Sequence, residues 1–232
     1  MIRRLRSSLQ CVRERKAAEA TGSAYKQAFA AAAATCRRLG HHVEAVEWTG
    51  PAQVGPAATL VSAALARVGL SDASGSAGQC LKWSHFLAPH FGIEFGCRTW
   101  VTLGELWKDE RRVFDPTLDD ISRWSLDGMG FRDLRSGAGL NLHAWVTLAT
   151  GHIVDPTLPS TLASNVPGYS RLDGGVMVGQ ADAMAPHRYV PLAIGASYVE
   201  EVARRSAIPL LASEPGELMI IPAVLVHENV GV

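Results

Sequence analysis

Cysteine is scarce in this 232-residue chain: four residues, at positions 11, 36, 80 and 97, with no C-x-x-C pair among them. The count is too low for a dense disulfide framework, and the missing pair argues against a zinc ribbon. An excess of one charge is lacking too, since 22 Lys and Arg stand against 22 Asp and Glu. Bulk attraction of the main body to nucleic acid is therefore not expected. Long apolar runs are also absent. Gly, Pro or a charge interrupts each of them well short of the roughly 20 residues that a membrane-spanning helix needs.

What is present is a chain with 47% hydrophobic residues, ordinary for a globular protein and long enough to bury a core without staples. The neutral total hides an asymmetry. Residues 1–40 hold 9 basic and 2 acidic side chains, and residues 41–232 hold 13 and 20. The basic N-terminus (Arg3, Arg4, Arg6, Arg13, Arg15, Lys16) reads as a solvated helix able to touch an acidic protein partner. It lacks the apolar stretch of a secretory signal, and Glu14 and Glu19 argue against a transit peptide.

The Ala-rich stretch 17–36 and residues 57–69 read as helices, the second stopped by Gly69. A small-residue loop follows at 71–78. Residues 80–91 predict a helix ending near Pro89, and the β-branched and aromatic stretch 93–107 predicts a strand or bent strand pair. Residues 114–124 form a turn and a short helix, with Thr117 or Asp119 as N-cap. Residues 127–139 read as a long connection. Residues 143–157 predict a hairpin turned at Thr150-Gly151. The tail offers a strand at 188–194, a helix at 197–205 and a strand at 218–226. Helices first and strands afterwards is the α+β pattern, with a helical extension over 1–70 and the main domain over 71–232.

Three residues in this layout can share chemistry. Cys80 opens a predicted helix, where the positive end of the helix dipole favours thiolate, the nucleophilic form. His143 begins a strand and Asp155 ends the partner strand, nearly opposite. A carboxylate can then orient one ring nitrogen while the other faces the thiol, the nucleophile–base–orienter arrangement.

Gly78-Gln79-Cys80 leading into a helix, His143-Ala144-Trp145 opening a strand, and Asp155-Pro156-Thr157 after a Gly-containing turn resemble the transglutaminase-like group of the papain-like cysteine enzymes. The resemblance covers about residues 78–160. It implies Cys80 as nucleophile, His143 as general base and acid, Asp155 as orienter, and a core helix packed on an antiparallel sheet. It also implies amide hydrolysis or acyl transfer through a thioester, on a peptide, amide or acyl-carrying substrate, with no cofactor and no metal required. The Cys80–His143 gap is longer than in compact members, so residues 108–139 read as an insertion that could cover the substrate. The unpaired Cys pattern favours a cytoplasmic setting.

Plainer readings stand beside these. Gln79 is either a side-chain oxyanion donor or a loop residue, and Trp145 either walls the site or packs in the core. Cys11, Cys36 and Cys97 read as small buried hydrophobes. Asp115, in the same D-P-T context as Asp155, is the alternative third member. His85 and His90 are poorly spaced for a shared metal. The fold could also serve as a non-catalytic protein-binding module. A buried Cys80 would favour that reading, and an accessible one facing His143 would favour the enzyme.

Overall fold

The computed structural model describes residues 23–49, 57–135 and 139–220. The basic N-terminal segment 1–22, and with it Cys11, lies outside the described residues, as does most of the strand expected at 218–226.

Helix α1 (Ala24–Arg38) follows from its Ala content and its cap, Ser23 Oγ accepting from Lys26 N at 3.1 Å. Tyr25, Phe29, Ala32, Ala33 and Cys36 recur at three- to four-residue spacing and form its buried face. Helix α2 (Ala57–Arg67) buries Val61, Ala64 and Leu65. These side chains belong to the same hydrophobic cluster as the strands downstream, so the helices expected as an extension share one core with the rest.

Helix α3 (Cys80–Phe95) runs straight through Pro89, where the sequence predicts a stop. Pro89 removes one helical N–H, but the surrounding packing holds the turn. Leu87, Ala88 and Phe91 are buried beside it, and Thr99 Oγ1 donates to the Ala88 carbonyl at 2.8 Å. The helix ends at Gly96, which takes the left-handed conformation (φ 60°) that glycine adopts without strain. Residues 93–95 are thus helical, and the predicted strand begins only at Thr99.

Strand β1 (Thr99–Lys108) is the sheet's axis and turns tightly into β2 (Arg111–Phe114). Helix α4 (Leu118–Asp127) is capped by Thr117 in a reciprocal box with Asp120. The connection at 127–139 holds a short 3-10 turn, and a two-residue ladder pairs β3 (Leu134–Arg135) with β4 (Gly139–Leu140). The expected hairpin is present as β5 (His143–Leu148) and β6 (His152–Asp155). Helix α5 (Leu158–Asn165), strand β7 (Met177–Gln180), strand β8 (His187–Ile194) and helix α6 (Ala196–Arg205) follow. Helix α7 (Pro215–Leu218) stands where the last strand is expected to start. Ser213 N donates to Glu217 Oε2, and Lys82 Nζ donates to the carbonyls of Glu217 and Ile220, which fixes a helical turn there.

The result is α+β, with an antiparallel six-stranded sheet in the order β2-β1-β5-β6-β7 and β8 on β1. Leu103 of β1 pairs with both Ala144 and Ala193, and Leu106 with both Phe114 and Tyr189. Strands β5 and β2 therefore share one edge of β1, and β8 takes the other. Fully buried Leu103, Leu106, Trp83, Trp124 and Trp145 anchor the core, each such side chain contributing about 1.5–3 kcal/mol over exposure. Among the described residues no helix is long and apolar enough to cross a membrane.

Candidate active site

The loop before α3 is held before it reaches Cys80. Ala73 N donates to the Gly174 carbonyl at 3.0 Å, and buried Ser76 Oγ donates to the Pro156 carbonyl at 3.0 Å. Ser160 Oγ donates to the Ala73 carbonyl at 3.2 Å. The segment carrying Cys80 is thus tied to the segment that follows Asp155. Gln79 N bonds the Ser76 carbonyl, and Trp83 N bonds the Gln79 carbonyl, which starts the helix at Cys80. No acidic residue sits in its first turn, so nothing there offsets the positive helix end beside the sulfur.

Cys80 is half-buried, and its Sγ lies 3.8 Å from the Leu142 carbonyl oxygen. Near it is the ring of His143, whose charged form the Cys80 side chain favours. His143 is 1% exposed. Its Nε2 bonds Asp155 Oδ2 at 2.6 Å, which leaves Nδ1 for the thiol. Phe114 from β2 stacks on the imidazole at 5.4 Å and 12°, and Trp145 lies at 6.0 Å.

Asp155 is fully buried and saturated. Oδ1 accepts from Thr157 N (3.0 Å), Thr157 Oγ1 (3.2 Å) and Leu158 N (3.0 Å). Oδ2 accepts from His143 and from the Tyr189 hydroxyl at 2.9 Å. The D-P-T turn therefore does two things at once: one carboxylate oxygen caps the start of α5 and the other orients the histidine.

Burial is the largest influence on both charges and opposes each of them. The opposite charge and the shared hydrogen bond win: His143 is raised to about 10, with Cys80 adding to the rise, and Asp155 is held below the usual carboxylate range. The pair is thus an imidazolium against a carboxylate at neutral pH.

The remaining sequence candidates divide. Gln79 is buried and donates its Nε2 to the Gly75 carbonyl at 2.9 Å, so this amide N–H bond braces the loop. Trp145 is fully buried and donates Nε1 to Tyr25 Oη at 2.7 Å, a core residue whose ring also backs His143. Asp115 takes no part in the His143 pair. Its backbone N–H bonds Asn141 Oδ1 at 3.1 Å, and the helix cap in its turn is Thr117. His85 pairs with Glu200 at 3.3 Å, and among the described residues no group of three or more His, Cys, Asp or Glu could hold a metal. The expected insertion contributes Phe114, the ring stacked on His143.

Sequence reasoning misses Tyr189, Ser76 and Ser160. Tyr189 lies 34 residues beyond its partner on another strand, and the two serines look like loop composition. Comparisons with protein-family models, with curated proteins and with solved structures return no match.

Proposed function

We propose that the chain is a cysteine-dependent amide hydrolase or acyl transferase with a papain-like core of the transglutaminase-like kind. The observation that carries this reading is the set of three: Cys80 at a helix N-terminus, His143 interacting with it, and Asp155 2.6 Å behind the ring. The half-buried thiol against a sealed imidazole and carboxylate suits an enzyme whose sulfur meets substrate while its charge pair stays dry. The free thiols Cys36, Cys80 and Cys97 suit a cytoplasmic setting.

In this reading His143, an imidazolium at rest, already holds the proton that Cys80 has given up, and the thiolate sulfur attacks the carbonyl carbon of an amide or thioester. The new C–S bond pushes an electron pair onto oxygen. That oxyanion is met by the Cys80 N–H, which as a first-turn donor has no helical acceptor of its own. Collapse breaks the bond to the leaving group, which departs with the proton from His143. Water or an amine then attacks the thioester, His143 removes its proton, and the sulfur is released. Asp155 keeps the ring aligned and the imidazolium stable throughout.

The test is selective alkylation. A mild iodoacetamide dose at neutral pH should label the wild-type protein and Cys97→Ala but not Cys80→Ala. Equal labelling of the two variants would remove the activated thiol and the enzyme with it.

A further inference from the structure

We infer that Tyr189 is a positioning residue of this site: its hydroxyl shares the one carboxylate oxygen that holds His143, and so sets how strongly Asp155 grips the imidazole. The inference rests on the proposed triad and adds a fourth member to it.

Geometry carries the argument. Oδ1 of Asp155 is occupied by three donors from its own turn. Oδ2 has two, the His143 ring N–H from β5 and the Tyr189 hydroxyl from β8. A donor shared on one oxygen withdraws negative charge from the other bond to it. The phenol therefore tempers the ion pair rather than merely filling space. Its ring packing alone, edge-on to Trp145 at 5.0 Å, would be met as well by phenylalanine.

The phenol is a reliable donor across the working pH range. Burial and the neighbouring Asp155 charge push its proton loss well above the ordinary tyrosine range. The titratable groups around the pair come from four elements. Cys80 faces it from α3, Asp155 belongs to β6, Tyr189 and His187 lie on β8, and Tyr25 reaches in from α1. Lys108 and Asp109 act on His187. Burial, then Lys108, lowers His187, so it stays neutral while His143 titrates.

Two readouts test the idea. The first is the ring titration of His143, followed by nitrogen-15 NMR and assigned by its loss in His143→Gln. In Tyr189→Phe the titration should move up by about half a pH unit or more, because the carboxylate then pulls on one donor instead of two. Full-length protein grown with difluorotyrosine, a stronger phenol donor, should move it the opposite way. That arm also stands if Tyr189→Phe fails to fold. No movement in either protein overturns the inference. The second readout is alkylation of Cys80 at pH 6. If wild-type Cys80 reacts no faster than a free thiol, the triad reading fails while the titration still reports on Tyr189.

Discussion

Asp155 stands across the β5–β6 ladder from Trp145 and reaches His143 on the diagonal. The pairs Val146–Val154 and Thr147–Ile153 set that register, two residues away from direct opposition of His143 and Asp155. Diagonal same-face neighbours are roughly 7–8 Å apart at the backbone, a span that an imidazole and a carboxylate can close between them. The observed 2.6 Å contact uses it, and the direct cross-strand seat goes to the indole that backs the ring.

Asp155→Asn should be among the most damaging isosteric changes. The carboxylate accepts five hydrogen bonds and donates none. An amide NH2 must face either the His143 N–H or the donors of the Thr157 turn. Breaking one side of a buried pair costs about 3–5 kcal/mol. Urea unfolding should show a loss of that order, and Cys80 alkylation at neutral pH should fall to the rate of an ordinary thiol.

The His143–Asp155 pair also sets a pH window for stability. His143 is raised in the folded state, so its contribution is complete below the ordinary histidine range near ~6.5 and is lost as pH rises toward its folded value. Asp155 is lowered, so its contribution is complete above the ordinary carboxylate range near ~4 and is lost as pH falls through its folded value. The pair stabilises most between those limits, at weakly acidic pH. Stability measured from pH 4 to 10 in wild type and in the double variant His143→Gln/Asp155→Asn should diverge most there and converge toward pH 10. A constant difference across the range would contradict the assignment.

Ser76→Ala should separate assembly of the site from folding. The Ser76 hydroxyl ties the Cys80 loop to the Pro156 carbonyl, both buried. Loss of one such bond costs about 1–3 kcal/mol where the acceptor is left dry. The expected outcome is a folded protein with a midpoint lowered accordingly. Cys80 alkylation should slow more than for Ser122→Ala, whose exposed hydroxyl bonds only within α4.

Pro89→Ala should stabilise. Pro89 is exposed and sits inside α3, where it deletes a helical hydrogen bond. Proline in a helix interior costs up to about 3 kcal/mol, and part of that returns when an N–H is restored. A thermal midpoint raised by a few degrees, with unchanged Cys80 reactivity, is expected. A lowered midpoint would mean that the proline ring itself is needed for packing.

How much of this is legible in the sequence depends on range. The helix at Cys80, the strand at His143 and the turn at Asp155-Pro156-Thr157 are local patterns, and their order along the chain already suggests a shared site. The hairpin is short, so its register is nearly readable and errs by one diagonal step. Pro89 misleads because a local rule for helix ends yields to packing from Leu87, Ala88 and Phe91. Strand β7 is half-buried and contains Gly179, so it carries little β signal of its own. Tyr189 is invisible for a different reason: nothing along the chain says that β8 returns to β1, or which of its faces turns inward.

That facing is decided at Gly104. Between Leu103–Ala193 and Gly104–Pro191 the ladder skips Leu192, and a Cβ on Gly104 would come within 2.0 Å of the Val190 oxygen. One surplus residue in β8, admitted only because its neighbour has no side chain, inverts the alternation of everything before it. Pair Leu192 with Gly104 in a ladder without that skip, and Tyr189 would stand opposite Trp107 with its phenol turned out, while Arg188, now stacked on Trp107, would stand opposite Lys108 and turn toward the acid behind His143. A single step in strand parity thus separates a tempered charge pair from a cation competing for the same carboxylate.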